Sequence, residues 1–253
     1  MNNKLSVAII TKNEENNIAR CLNSVSWADE IVVVDSGSTD KTVDICEKHS
    51  CKIITTDWLG FAKTKQFAVD NCSNDWVLVL DADEEITEPL KIKIELILQN
   101  PKFSGYRIKR SSFYLGKLIK HCGWDKDYTL RLFDKNKGKF NEKLVHESII
   151  IKNGKIGIIE EVMLHYTYPT VDLHYAKMEM YSELGAKTLF NKGRRSGISN
   201  AVIRGALKFI KMYIVKLGFL DGKTGFILSI NSSYGVYLKY LKLSKLNKNK
   251  TDE

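Results

Sequence analysis

The chain is predicted to adopt an α/β fold, with a mostly parallel central sheet, helices on both faces and a helical C-terminal extension. Two observations carry this prediction. Short apolar runs alternate with amphipathic segments through the first hundred residues. Runs such as Ile31-Val32-Val33-Val34 contain no polar residue, which is typical of parallel strands that are buried on both faces.

The elements follow in a regular order. Helix 41–49 has Ser38 or Asp40 available as a cap, and Pro89 suits the first turn of the last helix, which runs to about Leu98. We expect strands over 5–11, 30–35, 52–55 and 76–80, and helices over 18–24, 41–49, 61–72 and 89–98.

Composition limits the cellular setting. The five cysteines occur singly, without C-x-x-C spacing, so neither a disulfide framework nor a zinc site is indicated. The N-terminus lacks a signal-peptide pattern, and no apolar stretch is long enough to span a bilayer. We therefore expect a cytoplasmic protein with reduced thiols.

Charge is divided along the sequence. Residues 1–100 carry 10 Lys and Arg against 17 Asp and Glu, a balance of −7, whereas residues 101–253 carry 29 against 13, a balance of +16. The acidic part can assemble a metal site. The basic part favours an anionic surface such as nucleic acid, phospholipid or a phosphorylated glycan.

Polar clusters follow three predicted strands: Thr11 to Asn16, Asp35 to Asp40 and Asp81 to Glu85. In parallel sheets, ligands bind beyond the carboxyl ends of the strands. Asp81 and Asp83 are two residues apart, so on an extended segment both can reach one hard cation. The clusters together predict a divalent metal on a diphosphate, although each alone is also consistent with a capped turn that carries solvated charges.

Each cluster has a candidate role. Asp35 can accept the N3–H of uracil, and Asp83 is the expected direct ligand of Mg²⁺ or Mn²⁺. Asp81 would meet the ribose, or the metal through water. The remaining nucleotide contacts are assigned to Thr11, Asn13, Glu14 and Lys65; the alternative for Lys65 is a solvated charge on a helix.

Three segments carry a resemblance to a known family. The segments 5–15, 34–40 and 80–84, which read LSVAIITKNEE, VDSGSTD and LDADE, resemble the N-terminal signature of family 2 glycosyltransferases, which have the GT-A fold. Two positions depart from the common pattern: Ser36 stands where many members have a second Asp, and Gln66 where many have Asn.

Beyond residue 100 the resemblance narrows to a subgroup. The segments 124–133, 145–147, 165–168 and 220–222 are similar to bacterial lipopolysaccharide core glucosyltransferases that add a β-linked glucose to heptose. The resemblance implies an inverting transfer from a UDP-sugar, with a phosphorylated glycolipid as acceptor and no nucleic acid partner. It also implies a nucleotide-sugar part over 1–100 and an acceptor and catalytic part over 101–168.

An inverting displacement needs one general base. Glu147 is our candidate and Asp127 the reserve; a surface salt bridge is the alternative for Glu147. Arg131 is expected to clamp a phosphate or a carboxylate, or to anchor the Trp124 loop. His165 is a candidate further ligand of the metal or contact of a phosphate, the alternative being a hydrogen-bonded core histidine.

The C-terminal extension is expected over 169–243, with a flexible tail over 244–253. Within 201–217, basic residues recur at helical spacing at Arg204, Lys208 and Lys211. Apolar surface between them is supplied by Val202, Ile203, Leu207, Ile210, Ile214 and Leu217. This pattern predicts either a helix at an anionic membrane surface or an ordinary packed helix with a solvated basic face. The first would place the protein on the inner face of the cytoplasmic membrane.

Two other classes of protein fit the sequence less well. A sugar-phosphate nucleotidyltransferase normally has a glycine-rich loop after the first strand, where this chain has Thr11 to Asn17 without glycine. A non-enzymatic module that binds anionic surfaces would leave the acidic strand ends without a role. A glycosyltransferase acting on another cell-surface glycan stays the closer alternative.

Overall fold

A mixed sheet with helices on both faces dominates the first part of the computed structural model, which describes residues 3–141 and 147–249. The chain divides into two compact units, Met1–Ser111 with Asp127–Tyr166 and Ser112–Lys126 with Thr167–Glu253. The boundaries predicted from the sequence, at residues 100, 168 and 243, stay a prediction; in the structure, residues 112–126 group with the C-terminal helices.

The N-terminal elements follow the predicted order, with one additional strand, β5 Glu84–Ile86. They are β1 Leu5–Thr11, α1 Ile18–Ser24, β2 Glu30–Asp35, α2 Thr42–Glu47, β3 Lys52–Thr55, α3 Phe61–Asp70, β4 Trp76–Asp81, β5 Glu84–Ile86 and α4 Glu88–Gln99. Strand β1 pairs in parallel with β2 and with β4, and β2 pairs in parallel with β3. These four strands form the parallel part of the sheet.

The rest of the sheet is assembled from later strands. They are β6 Gly105–Tyr114, β7 Lys117–Leu118, β8 Asp127–Asp134 and β11 Ile156–Tyr168; between β8 and β11 in sequence, β9 Gly138–Phe140 and β10 Ile149–Ile151 pair with each other in a separate two-stranded antiparallel sheet. The described strands follow the order β3-β2-β1-β4-β8-β6-β11-β5, with β8 antiparallel to both β4 and β6, and β5 antiparallel to β11. The parallel character is therefore limited to the first half of the sheet.

Two apolar cores lie on opposite faces of the sheet because side chains alternate along each strand. On β1, Val7 and Ile9 pack with residues of α1 and α4, whereas Ala8 and Ile10 pack with residues of α3. The predicted covering of both faces by helices is confirmed.

The second unit is mainly helical. Its helices are α5 Val171–Asn191, α6 Ile198–Ile210, a π-helical turn Lys211–Val215, a 3₁₀ turn Gly218–Asp221 and α7 Gly222–Asn249. Helix α7 packs on α5 and α6. Asp221 is buried and accepts hydrogen bonds from the backbone N–H groups of Lys120 and His121, at 3.2 and 2.9 Å.

A flexible tail is predicted over 244–253, and residues 250–253 of it lie outside the described part of the chain. Helix α7 continues to Asn249, and Leu243 and Ser244 are buried. The polar composition of this stretch did not indicate the helix, because its order depends on packing. Leu243 is buried, and Nζ of Lys242 donates to Oε1 of Glu179 on α5 at 2.6 Å. Within the described residues, no helix is both long enough and apolar enough to cross a membrane.

Candidate active site

The polar clusters after β1, β2 and β4 meet at one edge of the parallel sheet. Thr11 pairs with Asp35, and Ile10 pairs with Asp81. Adjacent strands are about 4.8 Å apart, so the ends of β2 and β4 lie within about 10 Å of each other. The segments that carry the predicted aspartates are therefore neighbours.

Lys65 reaches this edge from the apolar face of α3. It is buried, and its neighbours on that face include Ala62, Ala68 and Val69. Its Nζ lies 2.7 Å from Oδ1 of Asp81. The alternative of a solvated helix charge is wrong for Lys65, because an ammonium group is buried only where a carboxylate compensates it.

Asp81 forms ion pairs with two basic side chains, those of Lys65 and Arg131. Its second oxygen, Oδ2, lies 2.8 Å from Nη2 of Arg131. Burial alone would raise the pKa of Asp81, but Lys65 and Arg131 together hold it well below its usual range. Burial alone would lower the pKa of Lys65, but the Asp81 carboxylate raises it above its ordinary value. Both groups stay charged at neutral pH.

Glu147 joins the same group of charges. Its Oε1 lies 2.9 Å from Nζ of Lys65, and its side chain is 18% exposed. Glu147 is thus partly buried beside Lys65, in a site that Asp81 shares, rather than in a solvated surface pair. The preceding residues 145–146, which belong to the same predicted motif, lie outside the described part of the chain.

The ion pairs continue through Glu84, which is completely buried. Its Oε1 accepts from Arg131 at 2.5 Å and from Arg110 at 3.3 Å, and Arg110 bonds to Asp127 at 2.6 Å. We call this series the ion-pair chain. Its members are, in order, Glu147, Lys65, Asp81, Arg131, Glu84, Arg110 and Asp127.

Two members of the ion-pair chain were not predicted as site residues. Glu84 was visible only as part of an acidic cluster, yet its Oε2 also accepts from the backbone N–H of Asp81 at 3.0 Å. Arg110 lies in β6, among other basic residues, with no local signal. Arg131 was predicted to clamp a phosphate or a carboxylate, and it clamps two carboxylates.

Asp83 lies beside His165. Its Oδ2 is 3.5 Å from Nε2 of His165, and the side chains are 13% and 15% exposed. The approach follows from the topology, since β11 pairs antiparallel with β5 and Tyr166 donates its N–H to the Asp83 carbonyl at 2.9 Å. His165 is therefore next to the predicted metal ligand.

This pair fits a divalent cation by the chemistry of its donors. A carboxylate oxygen and an imidazole nitrogen at this separation can occupy adjacent positions around Mg²⁺ or Mn²⁺. The described residues contain no group of three or more His, Cys, Asp or Glu able to hold a metal. Two protein ligands are the arrangement expected for an ion that is completed by substrate phosphates.

Asp35 has a structural role in its own loop. It is buried, and its Oδ2 accepts from the N–H groups of Gly37 and Ser38, at 3.0 and 2.9 Å. Its Oδ1 accepts from the Ser38 hydroxyl. This is the capped turn weighed as the alternative, and it occupies much of the capacity that a uracil N3–H would use.

Asn13 and Glu14 connect two loops. The side-chain Oδ1 of Asn13 accepts from the N–H of Thr39 at 2.8 Å, and the N–H of Glu14 donates to the Thr42 hydroxyl at 2.8 Å. Thr11, by contrast, has a buried hydroxyl without a hydrogen-bond partner among the described residues, and so does Ser36. Such orphaned groups are unusual and are often satisfied by a ligand or by water.

Comparisons with known proteins show the family. The family model described as "Glycosyl transferase family 2" matches residues 6–149. A Rickettsia typhi protein named as an uncharacterized glycosyltransferase is 33% identical over 256 residues, covering 96% of this chain and 88% of its own length.

Two further likenesses extend over most of the chain. The lipopolysaccharide core biosynthesis glycosyltransferase LpsC of Rhizobium meliloti is 28% identical, covering 94% of this chain and 91% of LpsC. The structure of S. aureus TarS 1–349 with UDP-GlcNAc has a TM-score of 0.50 and 15% identity, covering 98% of this chain and 92% of the other. The GT-A fold is confirmed. The chain belongs to glycosyl transferase family 2 and is a transferase.

Proposed function

We propose that the protein transfers a hexose, with glucose as the first candidate, from a UDP-sugar to a heptose of a lipopolysaccharide or lipooligosaccharide inner core, with inversion at the anomeric carbon. The observation that carries the proposal is the contact of Glu147 with Lys65, 2.9 Å apart, next to Asp81. It joins a candidate base to the strand end that carries the predicted diphosphate site.

Glu147 is proposed as the general base. Its carboxylate takes the proton from the acceptor hydroxyl as that oxygen attacks the sugar carbon from the face opposite the diphosphate. Lys65 fixes the position of this carboxylate through Oε1. Asp127 remains the reserve, but it bonds to Arg110 at 2.6 Å at the far end of the ion-pair chain.

Asp83 and His165 are the proposed protein ligands of a divalent cation, Mg²⁺ or Mn²⁺. When bound, such an ion stabilises the negative charge that develops on the departing diphosphate. Asp81 is more simply explained as the anchor of Lys65 and Arg131 than as a direct metal ligand, since each of its oxygens already contacts a cation.

The nucleoside is proposed to lie along the ends of β1 and β2. The unpartnered hydroxyls of Thr11 and Ser36 are donors and acceptors that a base or ribose can satisfy. Asp35, Asn13 and Glu14 would then act mainly by holding the loops that frame the nucleoside. TarS binds UDP-GlcNAc according to its structure, but that likeness concerns the fold.

The acceptor class rests on the similarity to LpsC, whose name assigns it to lipopolysaccharide core biosynthesis. A phosphorylated glycolipid precursor would be met at the inner face of the cytoplasmic membrane. Transfer to another cell-surface glycan or glycolipid is the second candidate. Family membership favours either of these over nucleotidyl transfer or non-enzymatic binding.

The proposal is tested by measuring UDP release from a panel of UDP-sugars. The reaction is run with Mg²⁺, Mn²⁺ or chelator, and with or without lipopolysaccharide acceptor that ends in heptose. We expect release that needs both the metal and the acceptor and is fastest with UDP-glucose. Release that is indifferent to the acceptor and to the sugar would contradict the proposed donor and acceptor.

A further inference from the structure

Helix α6 turns its large apolar side chains to solvent. Val202, Ile203, Leu207 and Ile210 are 49% to 59% exposed. Scattered exposed apolar residues are normal in soluble proteins, but a continuous stripe of them marks an interaction surface.

The face of α6 that packs inward is built from small residues. Ala201 and Gly205 are its buried positions, and Gly205 accepts a hydrogen bond from the Ser233 hydroxyl of α7 at 2.8 Å. A Cβ on Gly205 would lie 3.2 Å from Cβ of Tyr237. Because of this close approach, the small residues of α6 face α7. The large apolar side chains on its other side are therefore exposed to solvent.

The apolar surface continues beyond α6. Ile214 and Val215, in the π-helical turn, are 52% and 65% exposed. Leu217 then takes a left-handed conformation with φ of 53°, which is costly for a branched side chain, and Leu220 follows as an exposed residue. We call this the α6 surface; its residues are Val202, Ile203, Leu207, Ile210, Ile214, Val215, Leu217 and Leu220.

The sequence around the α6 surface is rich in basic residues and contains almost no acidic residue. From Lys192 to Asn249 the sequence has 12 Lys and Arg and one acidic residue, Asp221, which is buried. Burial, and then the nearby charges of Lys211 and Lys239, lowers the pKa of Lys208 below its ordinary value. Lys208, Lys211 and Lys239 therefore form a group of cations that repel one another.

We propose that the α6 surface inserts into the interfacial region of a bilayer that contains anionic lipid, with Arg204, Lys208, Lys211 and Lys216 meeting the headgroups. An exposed apolar stripe flanked by basic residues is the pattern of helices that lie in a membrane interface. A second copy of the chain is a poorer occupant, because the two cationic surfaces would repel each other. The inference stands independently of the proposed reaction.

Flotation with phosphatidylcholine vesicles, with and without phosphatidylglycerol, tests the proposal. We expect the full chain to float with the anionic vesicles at low salt and to be released as salt screens the charges. Ile203→Glu combined with Leu207→Glu should weaken binding by about tenfold or more. Arg204→Gln combined with Lys211→Gln should weaken binding to anionic vesicles by about tenfold as well.

Leu96→Glu is the matched control, because Leu96 lies on α4 in the first unit and is 56% exposed, against 59% for Leu207. A second measurement uses the fluorescence of an introduced tryptophan. Brominated lipid should quench the added fluorescence in Leu207→Trp and should not quench it in Leu96→Trp. Donor-dependent UDP release in solution should be unchanged in the Ile203 and Leu207 variant, which separates this surface from the active site.

Three results would overturn the proposal. They are a wild-type chain that stays unbound at low salt, equal losses in the Leu96 and α6 variants, and a concentration-dependent dimer that Ile203→Glu with Leu207→Glu dissociates. The last result would reassign the α6 surface to self-association.

Discussion

Lys65 shows how an unfavourable residue becomes part of a site. An ammonium group on the apolar face of α3 would destabilise the fold if it were unpaired, since desolvation of a charge is costly. Asp81 and Glu147 lie within 2.9 Å of it and compensate that cost. The same contacts bring together residues 82 positions apart in sequence, so a single lysine links the sheet edge to the candidate base.

Glu147→Gln tests the role of this carboxylate. An amide cannot accept the acceptor proton, so we expect turnover to fall by about a hundredfold to ten-thousandfold while UDP binding stays nearly intact. Turnover kinetics together with UDP titration measure the two effects. Glu160→Gln, at an exposed carboxylate of the same unit, should change neither. Weaker UDP binding with unchanged chemistry would count against Glu147 as the base.

Glu84 is predicted to contribute mainly to the stability of the fold. Glu84→Gln leaves Arg131 and Arg110 with too little negative charge in a buried setting, which should lower the free energy of unfolding by about 3 kcal/mol. Glu88→Gln, which removes an exposed pair with Lys91, should cost about 1 kcal/mol or less. Urea unfolding of both variants measures this. Similar small losses would mean that the ion-pair chain contributes little to stability.

At the scale of elements, the regular β/α alternation explains why the ends of most strands and helices in the first hundred residues were predicted to within a few residues. The parallel strands have apolar centres, and each is followed by a polar turn. Strand β5 was missed because Glu84-Glu85-Ile86 is short and mostly charged. Its pairing with β11 depends on residues about 80 positions away, which local sequence cannot reveal.

Helix α5 contributes a pH-sensitive element to the second unit. His174 is buried, its Nδ1 lies 2.8 Å from the Tyr114 hydroxyl, and its ring stacks on Tyr168 at 4.3 Å. Burial lowers the pKa of His174 to about 4, against about 6.5 in an unfolded chain. Between these values the unfolded chain binds more protons, so the free energy of unfolding falls as the pH decreases from about 6.5 to about 4.

His174→Gln should remove that part of the pH dependence. Urea unfolding midpoints of the wild type should fall between about pH 7 and pH 4.5, and those of the variant should fall less. Titration of the imidazole by NMR gives an independent value. Identical pH dependence in the two proteins would show that His174 is not the responsible group.

For the whole molecule, the division of charge along the chain separates two tasks. The acidic N-terminal part supplies the carboxylates at the sheet edge, and the cation-rich C-terminal part supplies the α6 surface. The sequence indicated both, because D-x-D spacing and basic periodicity are local patterns. It left open whether Asp35 serves a ligand or its own turn, and it did not indicate that Arg110 and Glu84 would complete the ion-pair chain, because these contacts depend on packing.

The central claim is that the ends of β1, β2 and β4 form a metal-assisted UDP site in which Asp83 holds the cation. Calorimetric titration of UDP in the presence and absence of Mn²⁺ tests it most directly. We expect binding that is strengthened by Mn²⁺ in the wild type and in Asp75→Asn, which changes an exposed residue just before β4. The Mn²⁺ effect should be lost in Asp83→Asn. An affinity for UDP that is the same with and without Mn²⁺ in the wild type, or a full Mn²⁺ effect in Asp83→Asn, would contradict the proposed role of Asp83.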